Sequence, residues 1–514
     1  MITRDRIKCF WYDYTIMDNS QTYRTYAFVL GREKEIALVE LEATLGRLGF
    51  CFDKPIVTGN VAVINIENIE ADEVAKLSEI LGGTIKIFRL INCHSERNEK
   101  KPRNPSASSG RRLLSKDPST SVGMTGGTVG MTSHGLAIAI ADIIKREKMG
   151  RTGKINFGIS QYFGAAKKSE IYTLGLEVKR LLKGAHPARF IESRQEDALS
   201  SIVSLKNDLV GKGIEIGLFD TPAATPGVAA GVLVGLSDAE EWSERDYEKP
   251  AFDKYSGMMP HKLARAMVNI ALAYANPKSE ILNPKEIKNS NFENSKIVSD
   301  LDIRDLDFHR CAVVDPFCGS GNILMEAAML WCDVIGSDIS EKAVSDTKKN
   351  LEWLKEKMLD SRSTNLGFFK EDATSSELIN ILNSKILPAG RHGKNLDSNM
   401  VLVTEPYLGE PKKFMPSQSA AAGEYRKVKD TYINFLKNIK KLDKKIEAVC
   451  IVFPLIETTE NKRYSLYWES VDEIKSLGYI EERPPLIYGR DYQVVKGEIV
   501  FLKYETRNPN IETN

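Results

Sequence analysis

The chain has 514 residues, 42% hydrophobic and 27% charged, with 71 Lys plus Arg against 70 Asp plus Glu. That length exceeds a single core and predicts roughly two to four domains. The even charge balance excludes a global positive field, so any nucleic-acid ligand must be held by a local basic face.

The seven cysteines are scattered without a CxxC pair, and the six histidines show no metal-ligand spacing. This argues against a zinc site or disulfide framework and for a reducing cytosol. No apolar run is long enough to span a bilayer, and MITRDRIKCFWYDY has no signal-peptide core. The expectation is a cytoplasmic protein with no membrane partner and no metal. Its oligomeric state stays open, a monomer being the simplest form.

Tyr26–Gly31 (YAFVLG) is a buried-strand pattern, and Glu35–Leu48 follows with helical spacing. Val61–Ile66 predicts a strand, Ala71–Leu81 a helix and Thr84–Leu90 a strand. Residues 20–93 therefore form a small α+β unit in the β-α-β-β-α-β style. From His94 to His134 the chain is rich in Ser, Gly, Pro, Lys and Arg, and VGMT occurs twice. Residues 94–134 predict a disordered, low-complexity insertion. Lys100, Lys101, Arg103, Arg111 and Arg112 suggest a basic arm, but a solvated run is the simpler reading.

Residues 135–238 form a second α+β unit. Helices are expected at Leu136–Lys148, Glu170–Lys183 and Asp197–Leu205, and strands at Lys154–Ile159, Ala188–Glu192, Gly213–Phe219 and Val228–Leu236. Residues 239–259 read as a polar linker with an aromatic-charged flavour, from Trp242, Arg245, Asp246, Tyr247 and Phe252. Residues 260–507 alternate strands and helices, the pattern of a Rossmann-like, doubly wound α/β domain. Lys385–Ser398 reads as a loose loop, and PLIYGR with EIVFLKY as an antiparallel hairpin at the sheet edge.

Within that domain Val313-Val314-Asp315-Pro316-Phe317-Cys318-Gly319-Ser320-Gly321-Asn322 reads as strand, glycine turn and helix start. Gly319 and Gly321 let the backbone approach a ligand, because no Cβ stands in the way. A lone GxG is weak. Here Asp338 ends the next strand, where it can accept two ribose hydroxyls, and Asp372 follows the third, where it can accept an adenine amino group. Each acid alone could be a helix cap or loop residue; together they predict a nucleoside cofactor site built from Asp315, Pro316, Phe317, Gly319, Gly321, Asp338 and Asp372. The acid and proline ahead of the glycines suit S-adenosylmethionine better than a dinucleotide.

The fourth strand ends in Thr404-Glu405-Pro406-Tyr407-Leu408-Gly409. An exocyclic amine is a poor nucleophile, so a carboxylate and backbone carbonyls must hold its hydrogens and take up developing charge. Tyr407 can stack on an extruded base, and Pro406 fixes the backbone.

These motifs resemble those of RNA methyltransferases that carry a THUMP domain, above all the tRNA guanine-N2 methyltransferases acting on guanosine ten. DPFCGSGNILMEAA resembles the family's first motif, Gly336-Ser337-Asp338 its second, and Pro260-His261-Lys262-Leu263-Ala264-Arg265-Ala266-Met267-Val268-Asn269 the helix before its catalytic core. Units 20–93 and 135–238 resemble, less specifically, its ferredoxin-like and THUMP domains. The resemblance implies S-adenosylmethionine as methyl donor, tRNA as partner and methylation of a guanine N2 amine. It covers most of the chain except 94–134.

The fourth motif departs from the family's usual Asp-Pro-Pro-Tyr. Either Thr404 occupies the acidic position, or Glu405 does and one proline is lost; a threonine cannot supply the charge, which favours Glu405. Asn322 stands where the family often has threonine.

RNA contacts are expected from Lys179, Arg180, Lys183 and Arg189 in the second unit and from Lys412 and Lys413 past the Tyr407 loop. DNA amino-methyltransferases share the proline-aromatic site, but tandem N-terminal α+β units speak against them. A tRNA-binding protein with impaired catalysis is the other alternative, supported by the altered fourth motif.

Overall fold

The protein is described by a computed structural model over residues 23–91, 133–162, 166–193, 196–221, 227–252, 258–275, 311–357, 365–385, 399–410, 412–442 and 446–504. The expected insertion at 94–134 lies outside the described residues apart from Ser133 and His134, and so does the expected loop after Lys385. The chain divides into two compact units: Met1–Ala27, Ile56–Asn68 and Ile87–Leu236 in one, Phe28–Pro55, Ile69–Lys86 and Ser237–Asn514 in the other.

The N-terminal half runs β1 (Tyr23–Leu30), α1 (Lys34–Arg47), β2 (Ile56–Thr58), β3 (Val61–Glu67), α2 (Ala71–Ile80), β4 (Thr84–Ile91), α3 (Ser133–Glu147), β5 (Ile155–Tyr162), α4 (Lys168–Leu182), β6 (Ala188–Ile191), α5 (Ser201–Lys206), β7 (Ile214–Thr221) and β8 (Gly227–Leu236). Its strands make one sheet in the order β2-β3-β1-β4-β8-β7-β5-β6. Strands read as two units, 20–93 and 135–238, therefore share a sheet, with β4 next to β8. In α3, Ala137, Ile140, Ala141 and Ile144 recur at helical spacing, and this buried stripe packs with Leu174, Val178 and Leu182 of α4 on the strand residues Ile155, Phe157, Ile214 and Ile216.

The C-terminal half adds α6 (Ala239–Tyr247), α7 (His261–Ala275), β9 (Cys311–Asp315), α8 (Asn322–Met329), β10 (Asp333–Asp338), α9 (Glu341–Lys357), β11 (Asn365–Lys370), α10 (Ser376–Lys385), β12 (Asn399–Thr404), α11 (Gln418–Ile439), β13 (Ile446–Glu457), β14 (Arg463–Ser465), α12 (Val471–Ser476), β15 (Tyr479–Glu481), β16 (Leu486–Tyr488) and β17 (Val495–Tyr504). The sheet order is β11-β10-β9-β12-β13-β17-β15, with β14 paired to β13 and β16 to β17. Strands β9 to β13 pair in parallel. β17 runs antiparallel to both β13 and β15.

The hairpin expected at the sheet edge does form between β16 and β17. However, β17 is inside the sheet, between β13 and β15. Its Ile499, Val500, Phe501 and Leu502 are successive residues all at most 1% exposed, so both faces of the strand are covered.

Helices α1 and α2 group with this second unit. The buried Glu40 carboxylate of α1 accepts from the Gly82 and Gly83 amides at 2.8 and 2.7 Å and from Asn269 Nδ2 of α7 at 2.7 Å. Gly83 is required there, since a Cβ would come within 2.5 Å of Ala37.

The stretch 239–259 is not the polar linker that its composition suggests. Asp238 caps α6 by accepting from the Glu240 and Glu241 amides, and Trp242 and Arg245 are buried. Arg245 lies over the Trp242 ring at 4.2 Å and donates through Nε to Glu326 at 3.0 Å. Charged residues can be buried here because they are paired.

Candidate active site

The parallel strands β11, β10, β9 and β12 lie side by side, so their C-terminal ends bring the expected acids to one edge of the sheet. This is the edge at which open α/β sheets bind ligands.

Asp315 ends β9 and is 1% exposed. One carboxylate oxygen accepts from Thr404 Oγ1 at 2.6 Å and from the Phe317 amide at 3.1 Å. Burial pushes its carboxyl up to about 7, against the pull of these two donors.

The turn after Asp315 has Gly319 at φ +52° and Gly321 at φ +86°, both in the left-handed region that favours glycine. The Gly319 position opens onto free space, with nothing within 4 Å of an added Cβ, whereas at Gly321 a Cβ would meet Thr347 Cγ2 at 2.9 Å. The Gly319 amide donates to Asp338 Oδ2 at 3.0 Å, which ties the turn to the end of β10. Asp338 Oδ1 accepts from the Ser340 amide at 2.8 Å. Each carboxylate oxygen retains acceptor capacity beyond these bonds.

Asp372 follows β11 and is exposed. It accepts from the amide and hydroxyl of Thr374, both at 2.8 Å, which makes it a local turn acid as well as a cofactor candidate. Pro316 is buried, and the Phe317 ring packs edge-on to Phe435 of α11 with centroids 5.1 Å apart. These two shape the turn through packing.

At the end of β12 the two candidate acidic positions part company. Thr404 is fully buried and its hydroxyl is spent on Asp315. Glu405 is half-buried and accepts a hydrogen bond from the Tyr488 hydroxyl of β16. Burial pushes the Glu405 carboxyl up to about 7, with Tyr488 opposing. Burial first, and then the Glu405 charge, raise the Tyr488 hydroxyl well above the ordinary phenol value. Pro406 is buried, whereas Tyr407 is 60% exposed with its carbonyl held by Tyr432 Oη at 3.2 Å.

Tyr488 was not among the expected site residues. It lies 83 positions from Glu405, and no local pattern links a tyrosine in a short strand to that acid. Past the loop, Lys412 pairs with Glu424 at 2.5 Å, Lys413 is exposed, and Phe414 is 84% exposed.

In the first unit Lys179 and Arg180 are exposed on α4, Lys183 caps its C-terminus, and Arg189 is exposed on β6. Arg180 also lies 3.5 Å from Glu177. Among the described residues no cluster of His, Cys, Asp or Glu could hold a metal ion, and no helix is long and apolar enough to cross a membrane.

Five parallel strands, a reversed strand between the fifth and the last, and a glycine turn at the central strand end are the architecture of a class I methyltransferase domain. Residues 310–370 match the family UPF0020, described as an RMKL-like methyltransferase domain.

Over 108 residues the chain is 30% identical to a tRNA (guanine(10)-N2)-dimethyltransferase of Methanothermobacter thermautotrophicus, which covers 21% of each protein. Over 210 residues it is 28% identical to the enzyme of the same name from Methanocaldococcus jannaschii, covering 40% of this chain and 43% of that one. The matches span less than half the length of these curated relatives. They bear out the resemblance read from the motifs; they do not show a THUMP domain.

Among solved structures, magnesium protoporphyrin IX methyltransferase from Synechocystis with S-adenosylmethionine bound is 12% identical at a TM-score of 0.24, over 40% of this chain and 74% of that one. TehB from Haemophilus influenzae is 10% identical at 0.26, over 55% and 72%. Likenesses at this level carry no argument, and the fold class rests on the strand order.

Proposed function

We propose that the protein is an S-adenosylmethionine-dependent tRNA methyltransferase that modifies the exocyclic N2 amine of a guanosine, at the position named for its relatives. The observation that carries this is the pairing of two strand ends. β9 presents the Asp315–Gly321 turn, and its neighbour β12 presents Glu405 and Tyr407.

The residues fit the cofactor. Gly319 leaves open space at the turn, and Asp338 keeps acceptor capacity for the ribose hydroxyls beside it. Asp372 is exposed at the end of the next strand, placed for the adenine amine. When bound, the cofactor supplies an electrophilic methyl group.

The substrate side belongs to the chain's own residues. Glu405 accepts hydrogen bonds from the amine hydrogens, which orients the nitrogen and stabilises charge developing on it. With its carboxyl near 7, Glu405 can take up the released proton. Tyr488 fixes the carboxylate by donating to it. The exposed ring of Tyr407 stacks on the extruded base. Lys412 and Lys413 lie just beyond that loop, in reach of the phosphates flanking the base. In the N-terminal half, which we read as ferredoxin-like and THUMP-like, Lys179, Arg180, Lys183 and Arg189 hold the backbone of the tRNA. A cytosolic location follows from that substrate.

The test is nucleoside mass spectrometry of unmodified tRNA incubated with protein and cofactor, comparing wild type with Glu405→Ala and Asp315→Ala. Methylated guanosine from wild type, lost in both variants, is expected. Its absence from wild type refutes the assignment.

One observation favours a second reading, a tRNA-binding protein that has lost transfer. Where the family has Asp-Pro-Pro-Tyr this chain has Thr404-Glu405-Pro406-Tyr407, and Thr404 is engaged with Asp315. That reading predicts cofactor binding with no methyl transfer to any unmodified RNA.

A further inference from the structure

The segment before α7 ends in the cofactor turn's own hydrogen-bond network. Asn322, the first residue of α8, donates through Nδ2 to the Met259 carbonyl at 2.7 Å. Asn350 of α9 accepts from the Ala251 amide at 2.9 Å, and its Nδ2 donates to the carbonyls of Ala251 at 3.0 Å and Ser320 at 2.8 Å. Ser320 Oγ lies 3.5 Å from Met258 Sδ. The chain on either side of residues 253–257 is thus fastened to the turn at Ser320 and Asn322.

Lys249 sits at the centre of this fastening and is 1% exposed. Its ammonium donates to Asn322 Oδ1, and it lies 3.3 Å from His261 Nε2. The other ring nitrogen of His261 lies 2.7 Å from Glu326 Oε1.

Glu326 also receives Arg245 Nε at 3.0 Å and Arg265 Nε at 2.8 Å. Burial pushes this carboxyl up, but Arg265, Arg245 and His261 hold it well below the usual carboxylate range, so it is an acceptor only. His261 therefore carries its proton on Nδ1 and offers the Nε2 lone pair to Lys249. Donation thus starts at Lys249 and runs both ways, through His261 to Glu326 and directly to Asn322 at the turn.

Stability alone does not explain a lysine at this position. Among the described residues its hydrogen-bond partners are Asn322 and His261 rather than a carboxylate, and burial pulls it down to about 8. An apolar side chain of similar volume would avoid that desolvation. What an apolar side chain cannot do is replace the ammonium at Asn322 Oδ1, whose other donor, Ser320 Oγ, stands at 3.4 Å.

We propose that Lys249 is a positioning residue for the cofactor site: by holding Asn322 it sets the conformation of the Gly319–Asn322 turn that receives the nucleoside. The proposal rests on the cofactor reading of that turn and adds to it a residue from the stretch 239–259.

The test is calorimetric binding of S-adenosylhomocysteine to the full chain, with thermal unfolding measured in parallel. Wild-type binding checks the cofactor reading first; if wild type does not bind, that reading fails before Lys249 is tested. Lys249→Met is expected to weaken binding about tenfold, the scale of one lost buried hydrogen bond from a charged donor.

Asn322→Ala is expected to weaken binding to a similar extent, and the double variant no further than either single change, because both act through one contact. Arg245→Met breaks the same buried cluster away from the turn. It is expected to lower the unfolding temperature while the folded protein binds as wild type does. Binding within twofold of wild type in folded Lys249→Met overturns the proposal. If Lys249→Met does not fold, wild-type binding by Asn322→Ala overturns it.

Discussion

The Thr404 hydroxyl donates to the Asp315 carboxylate at 2.6 Å, joining the ends of β12 and β9. The threonine is therefore a brace between these two strand ends. Its neighbour Glu405, to which we assign the acid's role, instead accepts from the Tyr488 hydroxyl. The two halves of the site are coupled through adjacent residues of one strand.

Removing that brace has a signed consequence. The Asp315 carboxyl is raised to about 7 from an ordinary value near 3.8. Its contribution to stability is fully present below the unfolded value and is lost as pH rises through about 7. Thr404→Val takes away a donor that favours the ionised form. The variant is expected to lose about 1–3 kcal/mol, more at pH 8 than at pH 5. Denaturant unfolding at the two pH values checks this, and an equal loss at both would contradict it.

Glu405→Gln keeps the shape and removes the charge. The rate of methyl transfer is expected to fall about 10²–10⁴-fold while cofactor affinity stays as in wild type. In the wild type the rate climbs through a limb near pH 7, as the carboxyl ionises. A pH profile of single-turnover methylation reads both effects, and persistence of that limb in the variant removes Glu405 from the role.

Tyr488→Phe removes the hydroxyl that stabilises the Glu405 carboxylate. The acidic limb is expected to move to higher pH, because the lost hydrogen bond had opposed the effect of burial. The same profile measured on this variant decides; a limb that stays in place or moves lower contradicts the contact.

The two turn glycines are expected to fail differently. Gly321→Ala forces a side chain into the left-handed region and against Thr347, costing about 1–2 kcal/mol in backbone strain before the clash is counted. Gly319→Ala carries the same left-handed strain but meets no atom in the protein, so what distinguishes it is its effect on cofactor affinity. Thermal unfolding with and without S-adenosylhomocysteine separates the two. Equal ligand-induced stabilisation of Gly319→Ala and wild type would count against the cradle.

What the sequence determined by itself was local. The run from Val313 to Asn322 carries its own instructions: apolar residues end a strand, glycines take up positive φ, and a helix begins. Asp338 ends its strand and Asp372 comes two residues after its own, so their expected positions at the strand ends could be read from order alone. The helix over Leu136–Lys148 was legible for the same reason, because helical spacing lies within a few residues.

Only the tertiary structure decided the rest. Strand order placed β17 inside the sheet and joined β4 to β8, since pairing partners are chosen by burial of whole faces rather than by neighbours in the chain. The stretch 239–259 looked solvated because composition counts Arg245 and Lys249 as polar; burial became possible once Glu326, His261 and Asn322 arrived from elsewhere to meet them. The separate engagements of Thr404 and Glu405 arise in the same way. Asp315 and Tyr488 lie 89 and 83 positions distant, and hydrogen bonds over such separations exist only after the sheet has formed.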